Sequence, residues 1–262
     1  MKKILTLLVF LLICACLNAQ TMHTLIFVNT QENTEWGGDR TKDRTEDFVN
    51  MKDFFTQIAN KIGYTNDMRA HKLQQDFTST MVDQEINRLN VGKNDIVVFY
   101  YSGHGANFGN DVWPTLDLID KGYWQTDILR KLKEKCMNGN SFKPKLLLCI
   151  ADCCNNVFDG RNVGSFSPEL NAAAIKKLFT GFAGRYTITM SASIKGQYSL
   201  SDLEDGTLFG IALREAVSEC STSNATWENV LESAKTRTKK MAKPYIQEPQ
   251  YSIKISGDPF DD

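Results

Sequence analysis

Residues 95–107 read DIVVFYYSGHGAN, and residues 144–154 read PKLLLCIADCC. Each holds a continuous apolar run of strand length bounded by polar residues or glycine. That is the pattern of a strand buried on both faces of a sheet. The first run ends in Ser102-Gly103-His104-Gly105 and the second in Asp152-Cys153-Cys154. Chemistry-bearing side chains therefore fall at the carboxyl ends of two buried strands, which is where the ligand crevice of an open α/β sheet lies.

Outward from this pair, HTLIFVNTQ (23–31), RYTITMSAS (185–193) and PQYSIKI (249–255) read as further strands. Helical spacing separates them. Phe48, Met51, Phe55, Ile58 and Ile62 recur at three- and four-residue intervals before Gly63. Residues 78–92 start with a capping Thr or Ser and end in glycine. Residues 125–139, 168–182, 206–219 and 226–242 also read as helices. Strands alternating with helices predict an α/β fold, a three-layer α/β/α sandwich around a mainly parallel sheet.

The 262 residues suffice for one sizeable domain, and the formal net charge of −1 implies no general attraction to nucleic acid or anionic lipid. The lysine-rich stretch 235–240 reads as the solvated face of the last helix. At the amino end, Lys2 and Lys3 precede an apolar run from Ile4 to about Ile13. It is too short to span a bilayer, and 1–19 reads as a secretory signal, leaving 20–262 as the folded domain. That reading places the protein outside the cell or in the periplasm. Two alternatives stand beside it: lipid attachment at Cys16, which would be the sole membrane contact, and retention as an anchor. Beyond the leader lie Cys136, Cys149, Cys153, Cys154 and Cys220. Five is odd, and the spacing fits neither a disulfide framework nor a CxxC metal site.

A thiol attacks as thiolate, and a nearby imidazole activates it. His104 and a strand-end cysteine meet that need if both leave the sheet at the same edge. Gly103 and Gly105 are expected to turn the chain at His104 and to clear space for an extended substrate.

The segments FYYSGHG and LLLCIADCC resemble the caspase-like cysteine peptidases, and within them the metacaspase branch, with its Tyr-Ser-Gly-His-Gly and Asp-Ser-Cys-His-Ser-Gly motifs. EDFVNMKDFF is similar to that family's first helix, and ITMSAS, GQYSLSD and GTLFGIAL to its distal strand, substrate loop and following helix. The likeness spans about residues 23–255. It departs after Cys154, where Asn155-Asn156-Val157 replaces His-Ser-Gly.

The resemblance implies a cysteine endopeptidase with a Cys154–His104 dyad. Asp152 sets the register that makes Cys154, rather than Cys153, the nucleophile. It also implies an oxyanion hole from the backbone N–H groups of Gly105 and Cys154. Asp47, Ser102 and Asp152 are implied to line a first pocket that takes Arg or Lys, since two confined carboxylates repel until a cation arrives. Ser191 and Ser193 are candidates for the same pocket. Arg40 and Arg44 keep acidic specificity open. No cofactor is required by the sequence, but some family members need calcium, and Asp111, Asp117, Asp120 and Asp159 are the acids available. The partner is a peptide or protein substrate. The segment from Asn155 to about Pro168 is a candidate self-cleaved loop, with Arg161 its cut site. The rival reading is an inactive homologue that binds peptides without cutting, supported by the altered residues after Cys154.

Overall fold

The computed structural model describes residues 20–30, 41–72, 76–107, 109–155, 169–202 and 205–255. The leader, Arg40, Asp159 and the loop around Arg161 lie outside the described residues.

The chain runs β1 (Thr21–Val28), α1 (Thr41–Ile62), β2 (Thr65–His71), α2 (Ser79–Arg88) and β3 (Ile96–Ser102). Short strands β4 (Gly105–Ala106), β5 (Thr115–Asp117) and β6 (Gly122–Trp124) form a separate antiparallel sheet. Then come α3 (Gln125–Cys136), the small hairpin β7 (Met137–Asn138) and β8 (Ser141–Phe142), β9 (Leu146–Asp152), α4 (Ala172–Thr180) and β10 (Tyr186–Ser191). A second small hairpin, β11 (Ser201–Asp202) and β12 (Gly206–Thr207), leads into α5 (Leu208–Ser218), α6 (Trp227–Met241) and β13 (Gln250–Ile255).

The main sheet has the order β13-β10-β9-β3-β1-β2, parallel throughout except for β13. This is the expected sandwich. Side chains of β3 and β9 alternate between two cores because strand residues alternate faces. Ile96, Val98, Tyr100, Leu146, Leu148 and Ile150 join one core with α1, α4, α5 and α6. Val97, Phe99, Tyr101, Leu147, Cys149, Ala151 and Cys153 join the other with α2 and α3. Among the described residues no helix is long and apolar enough to cross a membrane. The last-helix cations pair with acids: Lys235 and Lys239 with Glu248, and Arg237 with Glu215 and Glu219.

Two features escaped the sequence reading. Strand β2, TNDMRAH, is an edge strand held by β1 alone, and its polar sequence lacks the apolar run of a central strand. The β4–β6 sheet is built of two- and three-residue strands, too short to leave a periodic signal.

Candidate active site

Strands β3 and β9 are neighbours, and Ser102 pairs with Asp152 in their register. His104 and Cys154 each follow two residues later. Gly103 N–H continues the ladder by donating to Asp152 O at 3.3 Å. Equal step counts past an aligned pair bring both side chains to the same edge of the sheet. Both residues are partly exposed. Alternation separates the two cysteines: Cys153 is buried in the α2–α3 core, and Cys154 falls on the Asp152 side. Burial pushes the Cys153 pKa well above that of an ordinary thiol, with the neighbouring Cys154 and Asp152 adding to the rise. Cys154 alone among the described cysteines is not buried.

The glycines do a different job from the one expected. A Cβ at Gly103 would lie 2.7 Å from Tyr101 Oη, and one at Gly105 would lie 2.5 Å from Cys153 Sγ and 2.6 Å from Cys154 O. Neither has positive φ among the glycines that do. Their missing side chains make room for the protein itself: Gly103 for Tyr101 and Asn29, and Gly105 for the cysteine turn, which packs directly against the histidine turn. This places Gly105 beside Cys154, as the oxyanion-hole expectation requires of the two residues.

Arg44 lies on the imidazole. Its Nη2 is 3.2 Å from His104 Nε2 and 3.4 Å from Nδ1. A group nearly equidistant from both ring nitrogens sits over the ring face, because in the plane it would collide with Cε1. The guanidinium thus aims an N–H at the ring of His104, and its Nη1 reaches Asn29 O at 3.4 Å.

Beneath the cysteine, the structure brings Asp47 and Asp152 together. Asp47 extends the buried stripe of α1 through Met51, Phe55 and Ile58, which seats that helix on the Tyr100 face of the sheet. Both carboxyls are sealed, 0% and 1% exposed. Tyr100 Oη is 2.8 Å from Asp47 Oδ2 and 3.2 Å from Asp152 Oδ2. Thr207 Oγ1 accepts from Gly210 N–H as the N-cap of α5, so its one proton goes to Asp152 Oδ2. Ser199 Oγ donates to Asp152 Oδ1 at 3.2 Å. Burial, and then the charge of Asp47, pushes the Asp152 pKa up to about 8. Asp47 is also raised by burial, against the opposing pull of Ser102, Tyr100 and the Arg214 guanidinium. Ser102 Oγ is buried without a hydrogen-bond partner at full bonding geometry.

Ser191 and Ser193 depart from expectation. Ser191 Oγ donates to Ser193 O at 3.0 Å, and Ser193 Oγ donates to Cys153 O at 3.3 Å. Neither hydroxyl bonds to Asp47 or Asp152 among the described residues. They fasten the end of β10 to the cysteine turn, since a buried hydroxyl takes whatever acceptor its strand position offers.

The sequence reading missed Tyr100, Thr207, Ser199, Gln247 and the use of Asn155. Asn155 is fully buried and ties three loops together. Its Nδ2 donates to Val112 O at 2.9 Å and Ser193 O at 3.2 Å, while its Oδ1 accepts from Asn107 Nδ2 at 2.8 Å. Two of the acids considered for calcium make local bonds. Asp111 binds Trp113 N–H and Thr126 Oγ1, and Asp120 caps α2 through Ser79. Among the described residues no three metal-ligating side chains converge.

The sequence model of the caspase domain matches residues 26–259. The chain belongs to the caspase domain family. Caspase-1 from Spodoptera frugiperda has a similar solved structure: TM-score 0.55, 15% identity, covering 91% of this chain and 88% of that one. At that identity the likeness is one of fold. No curated protein sequence matches the chain at a significant level. Within the caspase domain, the neighbouring ends of β3 and β9 carry His104 and Cys154, with Asp47 and Asp152 beneath them.

Proposed function

We propose that the chain is a cysteine endopeptidase of the metacaspase branch that cuts after Arg or Lys. The observation that supports this most is the Ser102–Asp152 register, which sends one imidazole and one partly exposed thiol off the same sheet edge. In the proposed reaction Cys154 Sγ attacks the scissile carbonyl carbon and its proton passes to His104. The tetrahedral oxyanion is held by the N–H groups of Gly105 and Cys154. Collapse breaks the C–N bond, and the imidazolium gives its proton to the leaving amine. Water, deprotonated by His104, then cleaves the thioester and restores the thiol. The cation of the substrate's basic side chain enters between Asp47 and Asp152. The leader supports export, which amino-terminal sequencing of the secreted protein tests.

One observation favours the rival reading of a peptide-binding homologue without activity: both pocket carboxyls are closed off in this structure. A panel of fluorogenic peptides with Arg, Lys or Asp before the reporter, assayed with and without calcium, separates the two. Turnover of the Arg and Lys peptides that is lost in Cys154→Ala and in His104→Ala supports the peptidase. No turnover of any peptide sinks it.

A further inference from the structure

Asp47 and Asp152 are sealed from solvent, so a substrate reaches them only if something moves. Ser199 makes hydrogen bonds to both Asp152 and the Cys154 thiol. Ser199 N–H donates to Cys154 Sγ at 3.3 Å, and its carbonyl oxygen lies 3.7 Å from the same sulfur. Its hydroxyl donates to Asp152 Oδ1 at 3.2 Å. A substrate residue that offers its carbonyl to Sγ and its side chain to Asp152 has to pass through the same space.

Ser199 lies just before the β11–β12 hairpin, whose ladder extends to it through Leu208 N–H donating to Leu200 O at 3.0 Å, and a side chain fastens it as well. Gln247 Oε1 accepts from Leu200 N–H at 2.9 Å. Gln247 Nε2 donates to Ala192 O at 3.0 Å and lies 3.4 Å from Ser199 Oγ. Gln247 is buried, while Ser199 itself is partly exposed. The neighbouring turn is tied down as well: Asn155 N–H donates to Gln197 O at 3.0 Å, and Glu248 N–H donates to Gln197 Oε1 at 2.7 Å.

We propose that Ser199 and Gln247 form a latch that closes the first substrate subsite in the free protein. Ser199 is an internal stand-in for the substrate residue, and Gln247 is the positioning residue that keeps it in place. The subsite's preference for a basic residue rests on the peptidase reading, but the closure over Cys154 does not. An incoming cation replaces a neutral hydroxyl on Asp152 with a charge-assisted bond, the stronger of the two. A neutral side chain offers no such exchange, so the latch adds to the selection of basic residues.

The test is the rate at which iodoacetamide alkylates Cys154 in the full chain, located by peptide mapping and mass spectrometry. Gln247→Ala removes three polar contacts and should speed alkylation of Cys154 roughly tenfold. Ser199→Ala removes the bond to Asp152 and should speed it several-fold, and it decides the matter if Gln247→Ala melts below the assay temperature. Rates within twofold of wild type in both variants overturn the latch. So does alkylation that spreads to the buried Cys149 and Cys153, which marks general loosening. In the peptide assay, KM for an arginyl peptide should fall in both variants. Faster alkylation with no peptide cleaved by any form leaves the latch standing and sinks the peptidase. Cleavage of arginyl peptides with unchanged alkylation and unchanged KM does the reverse.

Discussion

Asp47 and Asp152 face each other across one tyrosine hydroxyl. Tyr100 Oη is 2.8 Å from an oxygen of the first and 3.2 Å from an oxygen of the second. The hydroxyl has one proton, and the shorter contact gives it to Asp47. A protonated Asp152 can then donate back to Tyr100 Oη, which closes the network with no lone pair facing another. The upward shift of Asp152 fits that arrangement: burial and the Asp47 charge both favour the protonated carboxyl.

This arrangement predicts a pH-dependent pocket. The carboxyl of Asp152 titrates near 8 in the folded chain and near 4 when unfolded. A raised carboxylate stabilises the fold fully below the unfolded pKa, and that contribution is lost as pH rises toward the folded one. Thermal melting should therefore drop between about pH 5 and pH 8, and Asp152→Asn should flatten that slope. Under the proposed function KM for an arginyl peptide should fall over the same range, because an ionised pocket would hold the cation more tightly. In Asp152→Asn that dependence should vanish and kcat/KM should fall roughly hundredfold. A KM that stays flat with pH in wild type would remove the paired carboxylates from substrate binding.

Gly105→Ala should damage the site through packing. The new Cβ would meet Cys153 Sγ at 2.5 Å and the Cys154 carbonyl at 2.6 Å. Overpacking of this kind costs about 1–3 kcal/mol and pushes the nucleophile turn outward. Adding Cys153→Ala removes the sulfur but leaves the Cys154 carbonyl at 2.6 Å and the residue-153 Cβ at 2.8 Å, so the double variant should recover only part of the stability in denaturant melts and little activity. Full recovery of turnover would show that the carbonyl gives way.

Asn155→Asp is expected to be worse than Asn155→Ala. Alanine loses three hydrogen bonds, a loss of about 2–4 kcal/mol. Aspartate replaces the amide donor with an oxygen facing the Val112 and Ser193 carbonyls, adding repulsion in a fully buried place. Urea unfolding of the two variants checks the order. If aspartate proves the milder change, the amide orientation assigned to Asn155 is reversed.

His23, in β1 away from the strand ends that carry His104 and Cys154, predicts a second pH effect. It bridges Asp67 at 2.7 Å and Asp95 at 3.2 Å. Burial opposes its charge, but the hydrogen bonds to Asp95 and Asp67 outweigh burial and raise its pKa. Stability from this group is complete below about pH 6.5 and is lost as pH climbs through the raised folded value. The His23→Gln variant should melt well below wild type at pH 6 and close to it at pH 9. An equal gap at both values would mean that the charge contributes nothing.

The local chain determined a good deal. Apolar runs and helical spacing located every main-sheet strand except β2 and all six helices, since burial of a strand or helix face is written in its own residues. Alternation along β9 assigned Cys153 to the core and left Cys154 for the cleft, because a period of two fixes which neighbours share a face. The tertiary structure decided the rest. It put Asp47 of α1 against Asp152 of β9, gave the Thr207 cap a carboxylate to bond, set Arg44 against the His104 ring and pressed Ser199 onto the thiol. It also turned Ser191 and Ser193 from pocket candidates into fasteners, and the two motif glycines from open space into packing contacts. Such pairings join segments far apart in the chain. A hydroxyl, an amide or a guanidinium carries no local mark of its eventual partner, because burial leaves it to bond with whichever group packing sets beside it.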